Sequence, residues 1–373
     1  MAVNALKQLT ELGQSVWYDN ISRDMIADGT LKSLIENYSV RGLTSNPSIF
    51  NMAIGGSAIY DNQIKSARKN GLDTNHIFEQ LAVKDIGDAA DIMAPIFKSS
   101  EGNDGFVSIE VSPLLAHDTK ESVVEAKRLH SALSRPNIMI KIPGTQNGLP
   151  AVRELLEEGI NVNITLLFSV ENYRQVAITY CEALEARIKK GLPVDKVRSV
   201  ASFFVSRVDS AIDAKLQKII DGADAARGKR AKELLGQFGI ANSKLAYLAF
   251  KEIFHGDRFK ALRDKGASVQ RPLWASTSTK NPNYRDVMYV ETLIGPETVN
   301  TMPHATLEAF ADHGIATLTL DKMVAEAKAV KDSLEDLDID THKVLQDLQV
   351  DGVKKFEESF LAIGETISKK IAE

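Results

Sequence analysis

Short apolar, β-branched runs recur along the chain, and most are followed by stretches whose apolar residues repeat at helical spacing. The runs predict strands at Ser15–Asp19, Val40–Thr44, Phe106–Val111, Asn137–Ile142, Asn161–Phe168, Val197–Phe204, Arg271–Ser276 and Thr298–Met302. Between them lie helical stripes such as Val170, Tyr173, Val176, Ala177, Tyr180, Cys181, Leu184 and Ile188. Strands that alternate with helices imply a parallel sheet covered on both faces. About eight such units, with no polar linker dividing them, favour an α/β fold of one (β/α)8 TIM barrel over an open sheet.

Two gaps between strands are long, from Pro47 to Gly105 and from Ser206 to Gln270, so additional helices are expected after strands 2 and 6. In the first gap, helices are expected around His76–Val83 and through Ala89–Phe97. In the second, the charged stretch Asp224–Lys232 reads as a solvated helix face or an exposed loop. Val353, Phe356, Phe360, Ile363, Ile367 and Ile371 predict one apolar face of a terminal helix. The expectation is a single domain over residues 1–373, with the barrel at about 15–310 and a helical extension at about 311–373.

Composition changes this picture little. The 373 residues are 44% hydrophobic and 25% charged, as in an ordinary globular protein. A net charge of −5 leaves no electrostatic footprint for nucleic acid. No apolar run is long enough for a membrane span, and Met1 to Leu12 lack the apolar core of a signal peptide. The single cysteine excludes an internal disulfide, and the cytoplasm is the expected compartment.

Active-site residues of such barrels gather at the carboxyl ends of the strands. The polar residues that interrupt or end the apolar runs are Asp19, Asn46, Glu110, Lys141, Asn163, Thr165 and Ser202. Each needs a partner or a purpose, because a parallel strand is buried on both faces. Lys141 lies within Asn-Ile-Met-Ile-Lys-Ile-Pro-Gly; withdrawing an ammonium from water disfavours its charge and frees the amine as a nucleophile. The alternative is a lysine paired with Glu110 or Asp19 merely to hold strands together. Asp19 equally suits an N-cap of the next helix. Glu110 is out of place in a strand, and an ion pair with Lys141 would account for it.

The histidines are scattered without ligand spacing, so no metal is expected. Cys181 sits on an apolar stripe and reads as a buried, inert thiol. The Gly144–Gly148 loop lacks the lysine-serine ending of a phosphate loop, and Trp17 and Trp274 read as packing residues.

Taken together, Trp17-Tyr-Asp-Asn20, Leu43-Thr-Ser-Asn-Pro-Ser48, Val107-Ser-Ile-Glu-Val111, Met139-Ile-Lys-Ile-Pro143, Asn161 to Ser169 and Ser202-Phe-Phe-Val-Ser-Arg207 resemble the transaldolase family. The resemblance runs from Ser15 to about Leu307. The length and the segment Trp274–Pro282 are similar to its longer bacterial and plant-type branch.

The resemblance implies transfer of a dihydroxyacetone unit in the non-oxidative pentose phosphate pathway. The donor is sedoheptulose 7-phosphate or fructose 6-phosphate; the acceptor is glyceraldehyde 3-phosphate or erythrose 4-phosphate. It implies Lys141 as the Schiff-base lysine and Asp19 as the acid/base at the C4 hydroxyl. Glu110 and Thr165 would hold a proton-relaying water, while Asn46, Asn163 and Ser202 would bind hydroxyls of the dihydroxyacetone unit. Arg207 matches the family's phosphate-binding arginine. Lys280 stands where many members carry a second arginine, so it would act as a point charge without a bidentate fork.

No cofactor is implied, because the lysine supplies the electrophile, and no Rossmann fingerprint is present. The partners expected are sugar phosphates, neither nucleic acid nor membrane, with a homodimer left open. The near alternative is a Schiff-base aldolase of the fructose-6-phosphate or deoxyribose-phosphate type. Phe204 opposes it, standing where a tyrosine would favour the aldolase outcome. A noncatalytic sugar-phosphate-binding protein would not need Lys141, Asp19 and Glu110 together.

Overall fold

The computed structural model describes residues 4–372. Eight parallel strands close into a barrel in sequence order: β1 (Gln14–Tyr18), β2 (Gly42–Leu43), β3 (Phe106–Glu110), β4 (Ile138–Pro143), β5 (Val162–Leu167), β6 (Ser199–Phe204), β7 (Arg271–Ala275) and β8 (Thr298–Met302). β1 closes the ring on β8 over five paired positions, from Gln14↔Thr298 to Tyr18↔Met302. β2 is the shortest, because only Gly42 and Leu43 pair with both neighbours. Arg41 and Thr44 extend the ladder through single bonds, Arg41 N–H to the Val16 carbonyl (2.8 Å) and Thr44 N–H to that of Tyr18 (3.0 Å). Gly42 is required here: a Cβ at this position would lie 2.5 Å from the Trp17 ring.

Alternating strand residues divide the apolar core in two. One cluster fills the space between sheet and helices, with Ile140, Ile142, Ile164 and Phe203 facing Tyr173, Val176, Tyr180 and Phe250. The other joins interior residues Trp17, Phe106, Met139, Val200, Leu273 and Val299 to Phe204 and to Val353 and Phe356 of the terminal helix. Below them, Asp104 closes the amino-terminal end of the barrel. Its carboxylate accepts from Ser15 Oγ (2.8 Å), Trp17 Nε1 (3.2 Å), Arg41 Nε (2.8 Å) and Arg271 Nη2 (3.2 Å).

The insertion after β2 differs from expectation in one respect. The two helices expected at His76–Val83 and Ala89–Phe97 are one 26-residue helix, Thr74–Ser99, which runs through Gly87 and Pro95. Gly87 breaks the sequence pattern for a packing reason, since a Cβ there would meet the Arg135 guanidinium at 3.0 Å. After β6, the charged stretch forms the helix Ala225–Glu233, and Asp224 accepts from the amides of Ala226 and Arg227 at its start.

Beyond β8 come the helices His304–His313, Val324–Glu335 and Thr341–Ala372. The last crosses the carboxyl-terminal end of the barrel. Gln349 Nε2 ties it there, donating to the carbonyls of Gly144 (3.2 Å) and Leu166 (3.0 Å) and to Asn172 Oδ1 (3.0 Å). No helix among the described residues is long and apolar enough to cross a membrane.

Candidate active site

Each strand of a parallel barrel ends in a loop on the same face, so polar residues at the strand ends converge there. In this chain they enclose a cavity of about 220 Å³. Asp19, Asn46, Lys141, Thr165, Ser202, Phe204, Arg207 and Lys280 line it, together with Thr44, Ala275, Ser276, Ser278, Thr301, Pro303 and Phe356.

Lys141 is 5% exposed, a burial that lysine tolerates only with partners. Its Nζ donates to the Ser45 carbonyl at 2.8 Å and to Glu110 Oε2 at 3.3 Å, and lies 5.7 Å from the centre of the Phe356 ring. The Glu110↔Lys141 register of β3 and β4 sets this pair side by side. Glu110 is not on the wall of the cavity: it stands behind Lys141. Burial pushes its carboxyl up, and the lysine partly offsets this.

Asp19 follows β1, anchored by its N–H on the Met302 carbonyl of β8 (2.9 Å). It does not cap the next helix; Ser22 does, accepting from Met25 N–H. Thr44 Oγ1 lies 2.6 Å from Asp19 Oδ1 and 2.7 Å from Thr301 Oγ1, so a short hydroxyl chain fixes the carboxylate. Burial pushes the Asp19 carboxyl above its ordinary range; the Thr44 hydrogen bond and then Lys141, Arg207 and Lys280 pull it back. A carboxyl raised in this way holds a proton more readily than a free one, as a group that takes and returns a proton must.

Asn46 is the N-cap of the helix Pro47–Gly56, where its Oδ1 accepts from Ile49 N–H (3.0 Å). The amide nitrogen is therefore the group it offers to the cavity. Asn163 is fully buried one layer below the wall. It accepts from Ser202 Oγ (2.7 Å) and donates to Ser108 Oγ (3.1 Å), which orients the Ser202 hydroxyl. Thr165 reaches the wall next to a register shift in β5, where Leu166 adopts φ +61°. Such a bulge turns a side chain away from its regular direction.

At the rim, Arg207 opens the helix Ser206–Ile220, its guanidinium 5.2 Å from the centre of the Phe204 ring. Burial pushes this guanidinium below its ordinary range, and Asp351 and Asp19 partly restore it. Its buried Nη1 has no hydrogen-bond partner among the described residues. Lys280 follows β7, with Nζ on Ser278 Oγ at 2.6 Å. Burial, then repulsion from Arg207, push the Lys280 ammonium down.

The sequence pattern missed Thr44, Thr301, Ser276, Ser278 and Phe356. Thr301 stands one residue before the end of β8, and it does not stand out because that strand, Thr-Val-Asn-Thr-Met, is itself largely polar. Phe356 carries no signal, because an apolar stripe does not name what it covers. Away from this face, Cys181 is buried in the helix Val170–Lys189 and its thiol is pushed up to about 12 by burial. No cluster of metal-ligating side chains occurs among the described residues.

A largely polar barrel mouth that holds a buried amine, a raised carboxyl and two cations is consistent with the comparisons. The sequence model of the family described as transaldolase/fructose-6-phosphate aldolase matches residues 16–367. A transaldolase of Trichodesmium erythraeum is 48% identical over 377 residues, covering 100% of this chain and 98% of its own. A protein named transaldolase 2 from a Nostoc species is 47% identical over the same coverage. A transaldolase of Mycolicibacterium smegmatis is 46% identical over 95% of this chain and 94% of its own. The chain belongs to the transaldolase/fructose-6-phosphate aldolase family.

Proposed function

We propose that the chain is a transaldolase that transfers a dihydroxyacetone unit from a ketose phosphate to an aldose phosphate through an imine on Lys141. The observation that carries this reading is the placing of Lys141 Nζ against Ser45 and Glu110, in a cavity whose wall also holds Asp19 and whose rim holds Arg207. The relatives named transaldolase span nearly the whole chain and support the same reaction.

The free amine attacks the C2 ketone to give a carbinolamine, which loses water and becomes a protonated imine. Asp19 takes the proton of the C4 hydroxyl as the C3–C4 bond breaks. The bonding electrons move into a C2–C3 double bond and neutralise the imine. An aldose phosphate leaves and an enamine stays on the lysine. Its C3 then attacks the aldehyde of an acceptor, Asp19 returns the proton, and water releases the new ketose. Glu110 is placed to exchange protons with the nitrogen while the carbinolamine forms and collapses. Hydroxyl and amide groups of Ser202 and Asn46 suit the oxygens of the bound unit, whereas a strong acid beside the enamine would discharge it. Arg207 and Lys280 suit the phosphate, which orients the sugar at the reacting centre.

Transfer is favoured over simple aldol cleavage by Phe204, which offers no hydroxyl on the wall. The terminal helix also covers Lys141 with Phe356 and limits water at the enamine. A single cysteine suits a reducing compartment such as the cytoplasm.

Borohydride reduction in the presence of fructose 6-phosphate tests the proposal. One three-carbon adduct on Lys141 is expected by mass spectrometry, lost in Lys141→Ala. An adduct on another lysine, or transfer by the alanine variant, would refute it.

A further inference from the structure

The loop that carries Lys280 is held by few elements of its own. After β7 the chain runs without regular structure to the short helix Met288–Glu291, and Lys280 lies within this stretch. The loop nonetheless places a second cation beside Arg207, where the two repel. Asp19 attracts both cations, but the loop that carries Lys280 must itself be held against the Arg207 helix.

Two tyrosines of the segment reach across to the helix that carries Arg207. Tyr284 Oη donates to Asp213 Oδ2 at 2.7 Å, and Tyr289 Oη donates to Asp209 Oδ2 at 2.8 Å. Asp209 and Asp213 lie on the helix Ser206–Ile220, two and six residues beyond Arg207. Each aspartate is fixed in turn by a backbone amide: Gly239 N–H donates to Asp209 Oδ1, and Gly236 N–H to Asp213 Oδ1 at 3.0 Å. The Tyr284 ring packs on Gly236, where φ is +70° and a Cβ would lie 2.8 Å from the ring. A second cavity, of about 210 Å³, opens among these residues, and Lys280 forms part of the wall of both cavities.

We propose that Tyr284 and Asp213 are positioning residues for phosphate recognition: their hydrogen bond holds the Lys280 loop against the Arg207 helix and sets the spacing of the two cations. Neither residue touches the cavity that holds Lys141. Holding the cations in place beforehand spares the substrate the ordering of the loop, so the contribution appears in binding of phosphorylated sugars. The inference rests on the assignment of Arg207 and Lys280 to the phosphate.

The test measures borohydride trapping against concentration for fructose 6-phosphate and for dihydroxyacetone, which forms the same imine without a phosphate. Tyr284→Phe keeps the ring on Gly236 and removes only the hydroxyl. It should raise the half-saturating concentration of fructose 6-phosphate about threefold to tenfold, the range of one hydrogen bond, and leave that of dihydroxyacetone unchanged. Asp213→Ala should do the same. Asp213→Asn should stay within about twofold of the parent, because its amide can donate to Tyr284 and still accept from Gly236. The inference is overturned if Tyr284→Phe leaves both concentrations unchanged, or shifts both alike, while Arg207→Ala raises only that of fructose 6-phosphate. If Arg207→Ala fails to separate the two ligands, the phosphate assignment itself falls, and this inference with it.

Discussion

Asp209→Asn should stabilise the protein in a way that grows with pH. Asp209 is 1% exposed, and burial pushes its carboxyl up to about 7 from an ordinary value of 3.8, against the hydrogen bonds from Gly239 and Tyr289. A carboxyl with a raised folded value favours the native state while protonated in it. That contribution is complete below about 4 and is lost as pH rises to about 7, because the unfolded chain has already released its proton. A separation of roughly three pH units, at about 1.4 kcal/mol per unit, sets the loss near 4 kcal/mol. Asparagine is a neutral isostere that can accept from Gly239 N–H and donate to Tyr289, so it carries no such dependence. Denaturant midpoints and slopes of parent and variant, compared at pH 5 and pH 8, read the difference directly. Other raised carboxyls, such as Asp85 and Glu125, are common to both proteins and largely cancel. The advantage of the variant should be small at pH 5 and larger by a few kcal/mol at pH 8. An equal difference at both values, or an advantage that shrinks with pH, would refute the argument.

Asp19→Ala should retain borohydride trapping on Lys141 while transfer slows by about 10²–10⁴-fold, the usual contribution of a general acid/base; near-normal turnover would remove Asp19 from the mechanism. Phe356→Leu keeps an apolar roof but removes the ring 5.7 Å from Lys141 Nζ. Loss of a cation–π contact at that distance should lower the trapped imine about twofold to fivefold at subsaturating substrate, and unchanged trapping would leave Phe356 as packing alone.

Most of the barrel was legible because parallel strands are buried on both faces and so read as unbroken apolar runs. β8 was placed to the residue, and most other strands began or ended within a residue or two. β2, expected over Val40–Thr44, starts two residues later and ends one earlier, since its pairing rests on Gly42 and Leu43 alone. The helix Thr74–Ser99 reads as two in sequence because Gly87 interrupts the pattern between them, and the reason for that glycine, contact with Arg135, lies far along the chain. Within the site, Asp19, Lys141 and Ser202 announced themselves as polar groups in apolar strands. Asn163 is likewise polar and in a strand, and it bonds Ser108 and Ser202 one layer below the wall of the cavity. Asp209 and Asp213 gave no signal, because a carboxylate in the first turn of a helix, and another one turn further on, look like an ordinary solvated face.

The two ends of the barrel use charge differently, and the difference bears on where an anion belongs. At the amino-terminal end the Asp104 carboxylate receives four donors, from Ser15, Trp17, Arg41 and Arg271. A buried carboxylate so fully bonded has little left to offer a ligand, and it ties β1, the segment ahead of β2 and β7 together. At the carboxyl-terminal end the balance is reversed. Arg207 lies half-buried over Phe204 with its buried Nη1 unpartnered among the described residues, and Lys280 stands near enough to repel it. Leu166 and Ser276 hold left-handed backbone conformations beside the same cavity, at φ +61° and +56°. A buried guanidinium nitrogen without a partner costs stability, and so does each of these backbone conformations. Costs gathered at one face, beside a buried lysine, are accounted for when an anionic ligand supplies the missing hydrogen bonds. Under the proposed function a sugar phosphate would do so, with its carbonyl carbon toward Lys141.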